Sequence, residues 1–267
     1  MHTLIVSDVH LNVARDGAEK RASFASFLRQ IDPDQVNRLI ILGDLFDFWF
    51  EYRHVVFSGY FEVLRAFADL HEKKVEIHFV CGNHDLWAGR FLQASLGFQI
   101  HRGRLALDFN GKRVLFVHGD GINPRDVGYR LYKRCARNPC VIWMFRLFHP
   151  DWAMALAQWV SRGSRKMFKA NDLSRGSEVE PLRQFAQHVL ARGEADVVMC
   201  GHSHFPTQEP YPTPNGEGLY INAGDWLSHK SYVDWDGKDF HLRYFTSQGV
   251  GNKVPSGESQ PAVSQGQ

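Results

Sequence analysis

The sequence predicts an α/β fold, because short apolar runs typical of buried strands alternate with segments whose apolar residues recur at helical spacing. Five of the apolar runs end abruptly in residues rich in Asp, His and Asn. Strands that alternate with helices form βαβ units and open sheets whose faces the helices cover. The 267 residues, of which 44% are hydrophobic and 22% charged, are enough to bury a substantial core.

The predicted elements follow this alternation from the amino terminus. Strands are expected at residues 4–6, 39–42, 75–81, 114–117 and 197–200, helices at 21–31 and 57–73, and alternating antiparallel strands within 218–245. Residues 125–193 interrupt the pattern with aromatic residues among Arg and Lys, which predicts a helical insertion broken at Pro139 and Pro150. We expect one domain over residues 1–246, with this insertion packed over the site as a cap, and a disordered tail over 247–267.

Composition argues against several functions. Lys and Arg number 31 and Asp and Glu 29, so the chain lacks the positive charge that favours binding to nucleic acid. The four cysteines form no CxxC pair and are expected to be reduced thiols of the core. No signal peptide and no run of about 18 apolar residues are visible, so we expect a cytoplasmic protein. No obligatory protein partner is evident.

Polar side chains at the ends of the five strands predict a metal centre. The donors are two carboxylates, one amide and four imidazoles: Asp8, His10, Asp44, Asn83, His118, His202 and His204. Open α/β sheets bind ligands beyond the carboxyl ends of their strands, so these side chains are expected to meet. Oxygen and imidazole donors suit Mn²⁺, Fe or Zn²⁺ better than Cu(I) or Ca²⁺. Seven donors exceed the needs of one tetrahedral ion and indicate two ions that share a carboxylate.

Each motif alone also has a structural explanation, since a strand-end Asp can cap a helix and a strand-end His can be a hydrogen-bonded core residue. The ordered set resembles the calcineurin-like metallophosphoesterase family. Its motifs stand here as Asp8-Val9-His10, Gly43-Asp44, Gly82-Asn83-His84-Asp85, His118 and Gly201-His202-Ser203-His204.

The resemblance implies a four-layer αββα sandwich. It places Asp8, His10, Asp44 and His204 on one ion and Asp44, Asn83, His118 and His202 on the other, with Asp44 as the bridge. Two ions about 3.5–4 Å apart can activate a hydroxide that attacks a phosphoester. Catalytic roles are implied for Asn83 and for His84, which stabilises the transition state or protonates the leaving oxygen and is oriented by Asp85. The alternative for His84 is a support of the neighbouring ligand.

Residues 43–50, 118–129, 137–139, 149–150 and 161–165 look like the UDP-2,3-diacylglucosamine diphosphatases of lipid A biosynthesis. This resemblance implies hydrolysis of the pyrophosphate of UDP-2,3-diacylglucosamine to UMP and 2,3-diacylglucosamine 1-phosphate, with Mn²⁺ as the metal. The implied substrate contacts are Asn83, His84, Asp126, Ser164, Arg137, Arg165 and His202, with Tyr129 as a further candidate. One departure is His84, where the well-studied branch of these enzymes has Arg.

Aromatic and aliphatic residues of the insertion could line a trench for two acyl chains: Trp143, Phe145, Leu147, Phe148, Trp152, Leu156 and Trp159. With Arg and Lys at the margins they also suit an anionic membrane, so we expect peripheral binding to the cytoplasmic face of the inner membrane. The alternative is a helical hairpin that buries its aromatics against the sandwich.

Three other functions compete with this one. A phosphodiesterase or phosphatase for soluble nucleotides or other phosphoesters predicts an open polar site without a trench. A non-enzymatic scaffold predicts a damaged ligand set, whereas this set is complete. Nucleic-acid processing is disfavoured by the near-neutral charge balance.

Overall fold

The computed structural model describes residues 1–123, 127–156, 172–214, 216–246 and 249–251. In chain order the strands are β1 (His2–Val6), β2 (Val36–Leu42), β3 (Glu76–Val80), β4 (Phe98–His101), β5 (Arg104–Phe109), β6 (Lys112–Val117), β7 (Val197–Cys200), β8 (Thr207–Thr213), β9 (Gly216–Asn222), β10 (Ser231–Trp235), β11 (Phe240–Thr246) and β12 (Gly249–Gly251). The helices are α1 (Ala18–Arg29), α2 (Phe61–Glu72), α3 (Arg90–Leu96), α4 (Val127–Ala136), α5 (Pro139–Phe145) and α6 (Asp172–Ala191), with 3-10 turns at Arg15–Gly17 and Ser58–Tyr60 and a helical segment over 150–156.

The strands form two sheets. The first has the order β12-β11-β10-β1-β2-β3-β4, and the second has the order β5-β6-β7-β9-β8. Strands β1 to β4 are parallel and form one end of the first sheet, with the antiparallel strands β10 to β12 beyond β1. Strands β6, β7 and β9 are parallel and form the centre of the second sheet, flanked by antiparallel β5 and β8. In the first sheet Val6 pairs with Ile41, and Leu42 pairs with Val80. The carboxyl ends of these strands therefore reach the same edge of the sheet.

Helices and sheets stack in four layers, as the family resemblance implies. Alternate residues of β1 face opposite sides, so that Leu4 and Val6 pack beneath α1 and α2 while Ile5 packs between the sheets. The outer face of the second sheet packs against α6 through residues such as Leu182 and Val189. The predicted αββα sandwich is thus present, with a hydrophobic cluster at each of the three layer boundaries.

The predicted insertion between β6 and β7 is helical in its described parts. Asn138 caps α5, with its Oδ1 accepting a hydrogen bond from Cys140 N at 2.8 Å, and Pro139 occupies the first turn. Pro150 likewise begins the next helical segment. Helix α6 forms the fourth layer of the sandwich, so this part of the predicted insertion belongs to the fold itself.

Two further expectations are adjusted by the structure. Of the four cysteines, Cys81 and Cys200 are buried, but Cys135 and Cys140 are exposed on the helices and are not core residues. Residues Gly249–Gly251, which fall in the predicted tail, pair with β11. No helix among the described residues is long and apolar enough to cross a membrane.

Candidate metal centre

The predicted donors lie in loops that follow five strand ends, and they come from both sheets. Asp8, His10, Asp44 and Asn83 follow β1, β2 and β3 of the first sheet, whereas His118, His202 and His204 follow β6 and β7 of the second. Because these strands end at the same edge of the sandwich, residues that are far apart in sequence meet. Asp8 Oδ2, for example, accepts a hydrogen bond of 2.8 Å from His202 N, 194 residues away.

The backbone turns sharply at most of the donors. Eight non-glycine residues of the described chain have a positive φ, and five of them are predicted donors: Asp8, His10, Asp44, His202 and His204, with φ between 49° and 67°. A left-handed conformation costs roughly 1–2 kcal/mol for a residue with a side chain. Such strain persists where the surrounding fold imposes it, and it is concentrated at functional sites. Here it directs the donor side chains towards one another.

Asp44 lies at the middle of the centre. Its Oδ2 is 3.7 Å from His10 Nε2, 3.6 Å from His118 Nε2 and 3.8 Å from His84 Nε2. Its Oδ1 accepts a hydrogen bond of 2.9 Å from His84 N, which fixes the carboxylate. Asp44 therefore faces both predicted groups of donors, as a bridging ligand must.

Asp8 completes one side of the centre. Its Oδ1 lies 3.7 Å from His10 Nε2 and 3.5 Å from His204 Nε2, while its Oδ2 accepts hydrogen bonds from Ser7 Oγ and from the backbone. The rings of His10 and His204 are stacked, with centroids 5.0 Å apart. The ligand atoms of Asp8, His10 and His204, and likewise those of Asp8, Asp44 and His118, lie within 4.8 Å of one another.

The residues fit a bound cation. Within the described chain, Asp8 Oδ1 and His10 Nε2 are buried without a hydrogen-bond partner, although buried polar atoms are normally paired. Both belong to the same group of nitrogen and oxygen donors, which is the type that divalent transition metals prefer. A divalent ion would satisfy these atoms. The resemblance stated above implies divalent metals, and this donor set can hold them.

Three of the imidazoles contact an oxygen atom through Nδ1, on the side of the ring away from the other donors. The Nδ1 atoms lie 3.2 Å from Asp47 Oδ1 for His10, 3.3 Å from Asp225 Oδ2 for His204 and 2.7 Å from the Leu42 carbonyl for His118. Since a carbonyl oxygen can only accept, Nδ1 of His118 carries the proton and Nε2 is free to bind a cation. Histidine ligands usually have such a partner on their other ring nitrogen.

Electrostatics in the pocket favour cations. Burial alone would raise the pKa of the Asp44 carboxyl, but the neighbouring His118 and His84 hold it well below its usual value. Burial lowers the pKa of His118, yet the Asp44 carboxylate outweighs this effect and raises it to about 10. Asp8 and Asp44 thus persist as buried anions, and without metal ions His10 and His118, whose pKa values are raised to about 10, supply the positive charge. Burial instead lowers the pKa of His202 to about 4.

Asp85 has a different role from the predicted one. It is fully buried, and its two carboxylate oxygens accept hydrogen bonds of 3.2 Å from Leu45 N and Phe46 N. Burial and the neighbouring Asp44 raise the pKa of Asp85 to about 7. Asp85 was predicted to orient His84, but the group beside the ring is the Asp47 carbonyl, 2.8 Å from His84 Nδ1. The Asp85 side chain points into the protein and binds the backbone directly after Asp44. It therefore holds the loop that carries Asp44 in place.

The remaining predicted residues fall into three groups. Asn83 Oδ1 is 3.1 Å from His118 Nε2, and the His202 ring centroid is 5.1 Å from that of His118, so both lie beside the centre. Arg137 follows the end of α4, and its buried Nε has no hydrogen-bond partner among the described residues. Asp126, Ser164, Arg165 and Trp159 lie outside the described residues.

The sequence analysis did not predict the two carboxylates that lie beside these imidazoles, Asp47 and Asp225. Asp225 follows β9 in a Gly224-Asp225 pair, the pattern that singles out Gly43-Asp44 after β2. That pattern could have indicated it. Asp47 is not part of a recognisable motif. The only sequence signal for it is its position three residues after Asp44.

The chain belongs to the calcineurin-like phosphoesterase family, whose model matches residues 1–206. Among curated relatives it is similar to the UDP-2,3-diacylglucosamine hydrolase of Porphyromonas gingivalis, with 32% identity over 86% of this chain and 92% of that protein. The protein of the same name from Azotobacter vinelandii is 27% identical over 92% of this chain and 99% of that protein. A solved phosphoesterase from E. coli, at 17% identity, covers 95% of this chain and 98% of that chain with a TM-score of 0.44.

Proposed function

We propose that the protein hydrolyses the pyrophosphate bond of UDP-2,3-diacylglucosamine to UMP and 2,3-diacylglucosamine 1-phosphate, a step of lipid A biosynthesis. The observation that carries this proposal is the similarity to UDP-2,3-diacylglucosamine hydrolases over most of the chain. The converging donors of the centre supply the chemistry that such a reaction needs.

Two divalent metal ions, Mn²⁺ in this proposal, are held by the two donor groups that meet at Asp44. When bound, such ions lower the pKa of water and stabilise the charge of a phosphoryl transition state. Asp8, His10 and His204 would hold one ion, and Asn83, His118 and His202 would hold the other. Mixed imidazole and oxygen donors suit Mn²⁺. A screen of activity with different divalent ions would show whether another ion of similar ligand preference replaces it.

His84 acts on the substrate from the open side of the centre. Its side chain is 30% exposed, and its Nε2 lies 3.8 Å from Asp44 Oδ2. The Asp47 carbonyl accepts a hydrogen bond from Nδ1–H and so fixes the ring. A phosphate leaving group has a second pKa of about 6 and needs no proton to depart at neutral pH. We therefore assign His84 to stabilising phosphoryl charge, rather than to protonating the leaving oxygen.

Exposed apolar side chains support a lipid substrate and peripheral binding at the cytoplasmic face of the inner membrane. Trp152 and Leu147 are each 70% exposed, and Trp143, Met144 and Phe148 are at least half exposed. We call residues 143–152 the exposed apolar segment. Phe145 of this segment packs instead against Phe50 and Trp87, which anchors it to the sandwich. A phosphodiesterase for soluble nucleotides has no use for so much exposed apolar surface.

The decisive experiment is product analysis with UDP-2,3-diacylglucosamine and Mn²⁺, compared with a soluble model diester. We expect UMP to form and the lipid to be strongly preferred. Asp8→Ala and His118→Ala should each lose more than about 100-fold in turnover, since each removes a ligand, while circular dichroism shows a folded protein. Equal turnover of the soluble diester would remove the substrate assignment, and unchanged turnover in either variant would remove the metal roles.

The exposed apolar segment is tested separately. Trp152→Ser should weaken binding to anionic lipid vesicles and lower turnover of the lipid substrate, while turnover of a soluble diester stays unchanged. Phe61→Ser removes a large exposed side chain outside the segment and serves as the control. An equal loss in both variants would contradict a specific role for the segment.

A further inference from the structure

Two of the predicted metal ligands are backed by buried carboxylates. Asp47 Oδ1 lies 3.2 Å from His10 Nδ1, and Asp225 Oδ2 lies 3.3 Å from His204 Nδ1. Both imidazoles belong to the donor group that includes Asp8. Their Nε2 atoms face Asp8 Oδ1 at 3.7 Å and 3.5 Å, on the opposite side of each ring from the backing carboxylate.

Asp225 is itself held rigidly. Its Oδ1 accepts hydrogen bonds from Ser228 N and His229 N, each at 3.0 Å, and lies 3.1 Å from His229 Nδ1. The next residue, Trp226, is buried among the aromatic residues beneath α1, and its backbone N–H donates to the Asp8 carbonyl at 3.2 Å. Asp225 is only 2% exposed. The carboxylate therefore has one position, and that position determines the orientation of His204.

Asp47 has a comparable place behind His10. Its side chain is 8% exposed and faces His10, while its carbonyl accepts from His84 Nδ1 at 2.8 Å. Asp47 N donates to the Leu11 carbonyl at 2.8 Å, and His10 N donates to the Asp44 carbonyl at 2.8 Å, so the two loops are bound together. One residue thus orients an imidazole on each side of it.

Among the residues that the structure describes, the imidazoles on the other side of the centre have no comparable carboxylate behind them. His118 Nδ1 is hydrogen-bonded to a neutral carbonyl, that of Leu42. The nearby Asp120 carboxylate is bound by Lys133 and Tyr129. His202 Nε2 is 3.9 Å from Glu178 Oε2, which is beyond hydrogen-bond distance. A full negative charge behind an imidazole makes its free nitrogen a better ligand than a neutral carbonyl does.

We propose that Asp47 and Asp225 are positioning residues that orient His10 and His204, and that metal binding by the group of Asp8, His10 and His204 depends on them whereas binding around His118 does not. The inference rests on the proposed two-metal function. Loss of either carboxylate removes the charge behind one ligand and frees that ring to rotate. Such changes typically cost 10- to 100-fold in metal affinity.

The test is the number of ions bound by the metal-depleted full chain, measured by equilibrium dialysis against Mn²⁺ with metal analysis. At a free Mn²⁺ concentration that just loads the wild type with two ions, Asp225→Asn and Asp47→Asn should each retain about one. The corresponding Co²⁺ absorption spectrum should lose one component, and it should be the component that His204→Ala also loses.

Two matched controls separate positioning from general damage. Asp236→Asn removes a carboxylate that makes the same kinds of contact at the β10–β11 turn, with Lys238 N, Asp239 N and His241 Nε2 at 2.8, 2.9 and 3.0 Å. His229→Gln keeps Asp225 and removes only its outer imidazole. Both controls should bind two ions as the wild type does.

Three outcomes would overturn the proposal. Full loading of Asp225→Asn and Asp47→Asn would show that the carboxylates do not matter, and an equal loss of both ions would show general damage to the centre. If His229→Gln loses as much bound Mn²⁺ as Asp225→Asn does, the effect comes from the loop that follows β9 and not from the Asp225 carboxylate. The proposed function fails in a different way, because a wild type that binds no pair of ions refutes the two-metal centre itself.

Discussion

Asp44 depends on the absence of a side chain at Gly82. A Cβ atom at Gly82 would lie 2.2 Å from Asp44 Oδ1 and 2.6 Å from Asp44 N, closer than atoms can approach. A larger residue there must displace the carboxylate that faces both groups of donors. The glycine of the Gly-Asn motif is therefore required by the space around Asp44.

We predict that Gly82→Ala lowers Mn²⁺ affinity by at least about 10-fold, because Asp44, the proposed bridging ligand, is displaced. Equilibrium dialysis measures the affinity. Gly103→Ala is the control, since a Cβ at Gly103 meets nothing within 4 Å. Unchanged affinity in Gly82→Ala would mean that the loop yields without moving Asp44.

Buried His78 and partly buried His101 form an imidazole pair away from the metal centre. Their rings stack with centroids 5.4 Å apart, and His78 Nδ1 lies 3.1 Å from His101 Nε2. Arg38 and Glu76, which pair with each other at 3.0 Å, are the charged groups beside them. Burial lowers the pKa of both histidines, and for His78 the charges of Arg38 and His101 lower it further.

This pair makes the folded state sensitive to acid. Below about pH 6.5 the unfolded chain takes up protons that the folded pair resists, so stability falls as pH falls through that value. Urea unfolding at pH 8 and pH 5.5 should show a smaller loss for His78→Gln than for the wild type. His149→Gln, at an exposed position, should behave as the wild type. Equal losses in all three proteins would contradict the assignment.

Helix α3 obtains its amino-terminal cap from another loop. The residue before it, Gly89, offers no side chain, and Glu51 accepts hydrogen bonds from Gly89 N and Phe91 N, each at 2.8 Å. Glu51 belongs to the segment after β2, so the bond joins the loops that carry Asp44 and Asn83.

We predict that Glu51→Ala lowers the free energy of unfolding by about 1–2 kcal/mol, the usual cost of a lost helix cap. Chemical denaturation measures the change. Glu62→Ala, which removes an exposed ion pair with Arg29, should cost about 0–1 kcal/mol. A cost for Glu51→Ala no greater than that for Glu62→Ala would show that water caps the helix equally well.

The proposed metal centre lies between the two halves of the sandwich. Donors from the first sheet and donors from the second sheet meet at one edge, so a cation held by both links the sheets. Without a cation, two buried carboxylates must be balanced by imidazolium groups. Metal binding is therefore expected to stabilise the whole fold.

Removal of metal by a chelator should lower the thermal midpoint, and restored Mn²⁺ should raise it. At a free metal concentration 100 times the dissociation constant, each site adds about 2.7 kcal/mol. Scanning calorimetry measures the shift. The midpoint of Asp8→Ala should respond much less to Mn²⁺. If neither the chelator nor Mn²⁺ changes the thermal midpoint of the wild type, a bound cation does not link the two sheets.

Local pattern was enough for much of the fold. The abrupt change from apolar to polar residues at the end of β1, β2, β3, β6 and β7 is a property of short segments, and it located both the strands and the donors. The direction in which β9 pairs with its neighbours could not be predicted from local pattern. It is parallel to β7 and antiparallel to β8, and its alternation of side chains fits either direction.

The sequence by itself determined the donor set, because ligand chemistry is carried by residue type and the parallel strand ends bring such residues together. Only the tertiary structure decided which groups stand behind the donors. Asp225 reaches His204 across 21 residues, Asp47 rather than Asp85 holds His84, and Asp85 turns inward to bind backbone N–H groups. These choices depend on where a backbone turns and which way a side chain then points. Contacts between distant segments settle both, and no local pattern records them.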